Sequence, residues 1–369
     1  GRLTTQKWTF TAIEDVANLD EISRKGVQGG VMNTIFHKGR DIAKEIKEKT
    51  SAFSSNFGIS LMLGIAYAAS IGSIIGTPPN ALLVAYMKNE FNIEIGFFDW
   101  MLVGVPLSVV MLAACWFLLT YVLFRPEIGE IPSGKKIIQD ELDKLGPITI
   151  PEKLVGVIFV AAATCWISLG FILKSFDVKI ASLDAIIAMS TAILLFIVPA
   201  NKSGERLIDW DSAKKLPWDI LILFGGGLSL SAQFSSSGLS LWIGHQVSAL
   251  GALPIAAIIM AVVALVIFLT EITSNTATAA AFLPVIAGVS AGLGYAGANV
   301  MIFTIPVAMA ATFAFMLPVA TPPNAIAYGS GYVKISSMIK AGIWLNITGT
   351  FLITAAVVFI ASAVFGLKI

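Results

Sequence analysis

Thr77-Pro78-Pro79-Asn80-Ala81 recurs without change as Thr321-Pro322-Pro323-Asn324-Ala325, each copy in the middle of a hydrophobic stretch too long for one simple helix. Two successive prolines end a helix, because each lacks a donor and clashes with the preceding turn. A broken helix exposes chemistry that an intact one hides. The helix resuming after Asn80 or Asn324 presents free N–H groups and the positive end of its dipole, which favour an anion. The helix ending before Thr77 or Thr321 presents unpaired carbonyls, hard oxygen ligands for a small cation. Short Ser, Thr and Asn side chains serve either partner without adding net charge. A third break, Thr273-Ser274-Asn275-Thr276, carries the same residue types and is followed by Ala277-Thr278-Ala279-Ala280 as a fresh helix start. Three such breaks would converge on one anion and one or two cations. Glu271 is the carboxylate well inside this third stretch. It could couple protons to transport, or cap the helix beginning at the tip.

The elements that position these residues follow from hydropathy. Of 369 residues, 56% are hydrophobic and 13% charged, and mean hydropathy is +0.84. A soluble chain carries roughly 25% charged residues, so this one lacks the polar surface to cover a fold in water. The net charge of +1 points to no nucleic acid and no acidic partner. Cys115 and Cys165 sit in apolar runs and read as packing residues, and two histidines without clustered spacing disfavour a zinc site. No signal peptide opens the chain, and the polar start at Gly1 suggests a fragment lacking an N-terminal part.

Apolar runs of about 20 residues read as membrane spans. They are predicted at 57–87 (broken), 100–124, 155–173, 183–199, 219–236, 301–339 (broken) and 342–366. Residues 253–290 read differently, as two shorter arms of a re-entrant hairpin with its tip at 271–276. Arm length separates this from two crossings, Pro254 to Thr270 being marginal and Ala277 to Gly292 shorter. The loops 1–56, 125–153 and 200–218 hold nine, five and four Lys and Arg, whereas the opposite loops hold three, Lys88, Lys174 and Lys179. By the positive-inside rule the first set is cytoplasmic, and the C-terminus lies outside. The two broken spans then run in opposite directions, an inverted-topology repeat with a solute site near the bilayer midplane.

With these motifs in view, the chain resembles the divalent anion:sodium symporter family. The tip Thr273-Ser274-Asn275-Thr276-Ala277-Thr278-Ala279 resembles that family's Ser-Asn-Thr hairpin. Ala69-Ser70-Ile71-Gly72 through Asn80, and Leu317-Pro318-Val319-Ala320 through Asn324, look like its two unwound loops. The resemblance runs from about residue 50 onward. It implies an all-α polytopic membrane protein, an inverted-repeat elevator-type transporter with a re-entrant hairpin and broken helices, that pairs as a homodimer. Residues 1–56 would be a cytoplasmic arm, 57–124 the C-terminal part of the first inverted repeat, 125–154 a cytoplasmic loop and 155–369 the second inverted repeat. By resemblance, Asn275, Thr276, Thr77, Pro78, Thr321 and Pro322 face the carboxylates of a succinate- or citrate-type dianion. Thr270, Thr273, Asn275 and Ala320 ring one sodium ion, and Gly76 contributes its carbonyl to another. The resembling motif carries an acid at the position of Glu271, which favours a structural or cation-supporting role there; neutral replacement is then expected to leave the requirement for sodium intact. The family carries two such hairpins and this chain one, so the other is expected upstream of residue 1, and the chain alone is expected to be inactive. Asn33-Thr34, in a charged segment, is no substitute.

Within this class, a sodium-coupled sulfate carrier and a sodium-independent dicarboxylate exchanger stay open. An intramembrane hydrolase on Ser274 or Glu271 needs a base near the nucleophile, and neither histidine is near in sequence. A channel would conduct without a saturable coupled cycle. His245 reads as a solvated residue of an interfacial stretch, 238–250, and Gly225-Gly226-Gly227 as close helix packing. Trp100, Trp210 and Trp218 read as membrane-interface anchors, and 38–49 as a solvated helix.

Overall fold

The computed structural model describes residues 55–72, 76–126, 139, 143, 147–176, 180, 182–201, 204–216, 218–239, 242–243, 246 and 252–368. His245, Asn33-Thr34, the 38–49 segment and most of the 125–154 loop lie outside them. Among the described residues the regular structure is helical. In chain order the helices are α1 (Ser55–Gly72), α2 (Pro78–Phe91), α3 (Phe97–Phe117), α4 (Ile150–Ser175), α5 (Leu183–Ile197) and α6 (Trp210–Ala213). They continue with α7 (Asp219–Ser236), α8 (Ile255–Thr270), α9 (Asn275–Gly292), α10 (Met301–Ala310), α11 (Pro322–Gly329) and α12 (Ile335–Ala355). The π-helical stretches Leu118–Leu123 and Ala356–Ala361 prolong α3 and α12.

Both pentapeptides do what proline chemistry dictates. Proline is tolerated in a first helical turn, where its missing donor costs nothing. Thr77 (φ −84°, ψ 156°) and Thr321 (φ −144°, ψ 150°) are extended, and helix starts at Pro78 and Pro322. The second break is longer than expected. Helix α10 already ends at Ala310, so 311–321 run without helix ahead of the prolines. The last span also begins earlier than 342, at Ile335, so its N-terminal turns come from what was expected to be the broken span. The hairpin is two helices separated by four residues. Its second arm, Asn275–Gly292, has 18 residues and is long and apolar enough to cross a membrane, so it is not the shorter arm that was expected.

The described residues form two compact units. One takes them from Gly1–Glu94, Val103–Pro132 and Asp219–Ile369. In it α9 packs on α7, α2 and α10, α8 packs on α10 and α12, and α1 packs on α11. Tyr67, Phe303, Phe313 and Phe315 are its largest fully buried side chains. Close approach explains one glycine of the run in α7. A Cβ on Gly227 would lie 2.7 Å from the Ala280 Cβ, whereas Gly225 and Gly226 have nothing within 4 Å.

The other unit takes Ile95–Leu102 and Ser133–Trp218. Here α4 packs on α5, and the Phe97 N–H donates to Asp184 Oδ2 at 3.3 Å. Its apolar faces are uncovered: Val157, Phe159, Val160, Ile186, Met189 and Ile193 are all exposed. Trp210 and Trp218 are exposed as expected of interface anchors, but Trp100 is 3% exposed and serves packing instead. Cys115 is buried and Cys165 half-buried.

Candidate functional site

The hairpin tip is built by ending α8 at Thr270 and restarting helix at Asn275, with Ser274 extended between them. Thr270 is fully buried, and its Oγ1 lies 2.6 Å from Asn275 Oδ1 and 3.0 Å from the Ala311 carbonyl oxygen. A hydroxyl has one proton to give. Three oxygens therefore crowd together with one hydrogen among them, the arrangement that a small hard cation relieves. Thr273 Oγ1 donates to the Leu269 carbonyl at 2.9 Å and pairs with Thr278 Oγ1 at 2.6 Å, while Thr276 is buried.

Buried backbone polar groups outside a helix still need partners, and the stretch 311–317, buried through Phe315 and half-buried at Met316 and Leu317, finds many of them in side chains from elsewhere. Glu271, 3% exposed, accepts Phe315 N–H at 2.7 Å and Met316 N–H at 2.9 Å on Oε1. Its Oε2 accepts Met316 N–H at 3.0 Å and Leu317 N–H at 3.1 Å. Asn346 Nδ2 donates to Oε1 at 2.7 Å, so every partner the structure gives this carboxylate is a donor. The carbonyls are held in turn. Tyr67 O–H donates to Phe315 O at 2.7 Å, and Asn324 Nδ2 donates to Ala314 O at 3.0 Å and Leu317 O at 3.1 Å. Ala320 joins through its N–H, which donates to Leu317 O at 3.3 Å.

The two breaks are equipped differently. Thr321 Oγ1 caps α11 by accepting Asn324 N–H at 3.3 Å. Thr77 Oγ1 makes no such cap and is buried without a partner, although α2 is closed by Asn80 N–H donating to Thr77 O at 3.0 Å. Gly76 and Pro322 are exposed and Pro78 is half-buried. The structure thus brings Thr270 and Asn275 into contact and ties Ala320 to them through Leu317 and Glu271. Among the described residues, no hydrogen bond given by the structure joins Thr77, Pro78 or Gly76 to the tip or to Thr321, though α2 packs against α9. Sequence reasoning missed Tyr67, Asn346 and the Ala311 carbonyl. It flagged Asn324 only as part of a repeat. A lone Asn346 inside an apolar run was the one available signal.

No group of three or more His, Cys, Asp and Glu side chains that could hold a metal occurs among the described residues. Any ion held here meets hydroxyl, amide and carbonyl oxygens, a donor set suited to an alkali cation. Helix α4 is apolar and long enough to cross a membrane, yet Val157, Phe159 and Val160 along it are exposed. Apolar length left bare in α4, and polar breaks between apolar helices elsewhere in the chain, both have a ready physical setting in a lipid bilayer. There, broken backbone is tolerated only where protein covers it or a cavity lines it. This is the build of an integral membrane protein.

The comparison with known families agrees. The sodium:sulfate symporter transmembrane region matches residues 24–366, and the chain belongs to that family, the divalent anion:sodium symporters. The sodium-dependent dicarboxylate transporter SdcS of Staphylococcus aureus strain USA300 is 41% identical over 340 residues, 91% of this chain. The protein of the same name from strain MRSA252 is equally similar. The chain spans 64% of the length of these relatives. Membership in a transporter family removes the hydrolase weighed from the sequence.

Proposed function

We propose that the complete protein is a secondary active transporter of divalent organic anions, coupled to sodium. The oxygen cluster of Thr270, Asn275 and the Ala311 carbonyl carries this reading. Thr270, Thr273, Asn275 and Ala320 hold one sodium ion, and Gly76 contributes to a second. Asn275, Thr276, Thr77, Pro78, Thr321 and Pro322 face the substrate carboxylates, which the N-terminal ends of α2, α9 and α11 attract. Sodium neutralises part of a dianion that would otherwise be costly at membrane depth.

The wider architecture in this reading is an inverted repeat. Residues 57–124 end the first repeat, and 155–369 form the second after the cytoplasmic loop 125–154. The hairpin at 253–290 is re-entrant. Its first arm supports this: 16 residues of α8 reach about 24 Å, short of a hydrocarbon core of about 30 Å. The transport part moves as an elevator, the protein pairs as a homodimer, and the C-terminus lies outside. A sulfate-carrying version of the same site is the second reading, favoured by the name of the matching family.

The test is uptake of labelled succinate into proteoliposomes holding the complete protein, with sodium outside or choline in its place. Saturable uptake that requires sodium is expected. Uptake indifferent to sodium but stimulated by dicarboxylate inside would make the protein an exchanger. Absence of succinate uptake with sodium-driven sulfate uptake would move the substrate to sulfate.

A further inference from the structure

We propose that Glu271 is a positioning residue for the coupling ion, setting the backbone of the second break rather than carrying protons; this rests on the sodium site proposed above. Glu271 follows Thr270 directly, so its carboxylate and the Thr270–Asn275 oxygens share one helix end. From there it grips three successive N–H groups, those of Phe315, Met316 and Leu317. Leu317 passes the constraint on, because its carbonyl accepts the Ala320 N–H and the Asn324 amide. Two hydrogen bonds therefore separate the Glu271 carboxylate from Ala320, the second-break member of the proposed ion site. Phe315 is held at both ends, its N–H by Glu271 and its carbonyl by Tyr67 of the first broken span.

The geometry also argues against proton carriage. A carboxyl proton needs an acceptor, and each partner given to this carboxylate donates to it. A buried carboxylate is costly in an apolar core, and its cost is offset here by five donor contacts. Removing it leaves three backbone donors without this acceptor, that of Phe315 buried and those of Met316 and Leu317 half-buried.

Sodium activation of succinate uptake by the complete protein tests this, with Glu271→Gln, Glu271→Asp and Asn346→Ala beside wild type. Gln places an NH2 among N–H donors, so the half-saturating sodium concentration should rise about tenfold, as for loss of one or two buried charge-assisted bonds. KM for succinate at saturating sodium should move less than about twofold, since no substrate-facing side chain is replaced and bound sodium restores the site. Asp keeps the charge and should restore part of the loss. Asn346→Ala removes one donor and should shift sodium activation in the same direction by about threefold. A merely structural acid would lower the amount of folded protein, hence maximal uptake, without moving sodium half-saturation. Wild-type sodium activation in a folded Glu271→Gln protein would overturn the proposal, as would loss of pH dependence with sodium activation unchanged. If Glu271→Gln does not fold, Asn346→Ala decides alone, and unchanged sodium activation there sinks the idea. Wild-type uptake that ignores sodium would instead remove the ion site on which this proposal stands.

Discussion

Asn324 shows how much a residue's job can depend on partners far away in sequence. Its amide nitrogen serves two carbonyls of the unwound segment, Ala314 and Leu317, and it is fully buried. Aspartate is nearly the same shape but has no hydrogens to give. Asn324→Asp would face two carbonyl oxygens with a third, so a fall in stability of at least about 2 kcal/mol is expected. The check is thermal unfolding of the purified protein in detergent; an unchanged midpoint would mean that these bonds do not hold the segment. The sequence marks this residue by repetition, which says that it matters without saying how. Thr270 and Asn275 were legible because the hairpin motif carries them together. Tyr67 and Asn346 were not, because what defines them is a meeting with residues 315 and 271 across the fold. No local pattern records such a meeting.

At the scale of elements, proline marked both helix starts to within one turn, since its effect on helix geometry is local. Helices α2 and α11 were expected after Asn80 and Asn324 and begin at Pro78 and Pro322, which take the first turn themselves. The end of α10 at Ala310 is not set by a local breaker, as the nearest following proline is Pro318. That break opens early because Thr270, Glu271, Tyr67 and Asn324 accept or supply the hydrogen bonds that helix would otherwise make. The glycine run in α7 separates composition from contact in a similar way. Gly227 meets Ala280 of α9 at 2.7 Å once given a Cβ, while Gly226 meets nothing within 4 Å. Gly227→Ala should therefore destabilise the protein by about 1–3 kcal/mol through overpacking. Gly226→Ala should be neutral or slightly stabilising, by up to about 1 kcal/mol from helix propensity. Unfolding midpoints of the two variants measured together check this. Equal effects would show that the α7–α9 approach is looser than it looks. Gly342 follows the same rule more severely, because its Cβ would sit 2.5 Å from the backbone of Phe315 and Met316.

For the whole molecule, hydropathy established the membrane setting because a bilayer demands apolar length, and length is written in sequence. Among the described residues, the helical build and the run of apolar helices followed from it. Sidedness, the inverted repeat and the elevator motion concern relations between halves and belong to the proposed function. In the proposed mechanism sodium and a dianion share one site at the hairpin tip. The decisive measurement is binding of labelled succinate to the purified complete protein, in sodium and in choline, for wild type and Asn275→Ala. Binding is expected to wild type in sodium alone, and none to a folded Asn275→Ala protein in either salt. Wild-type affinity in the variant, or equal binding in choline, would contradict it.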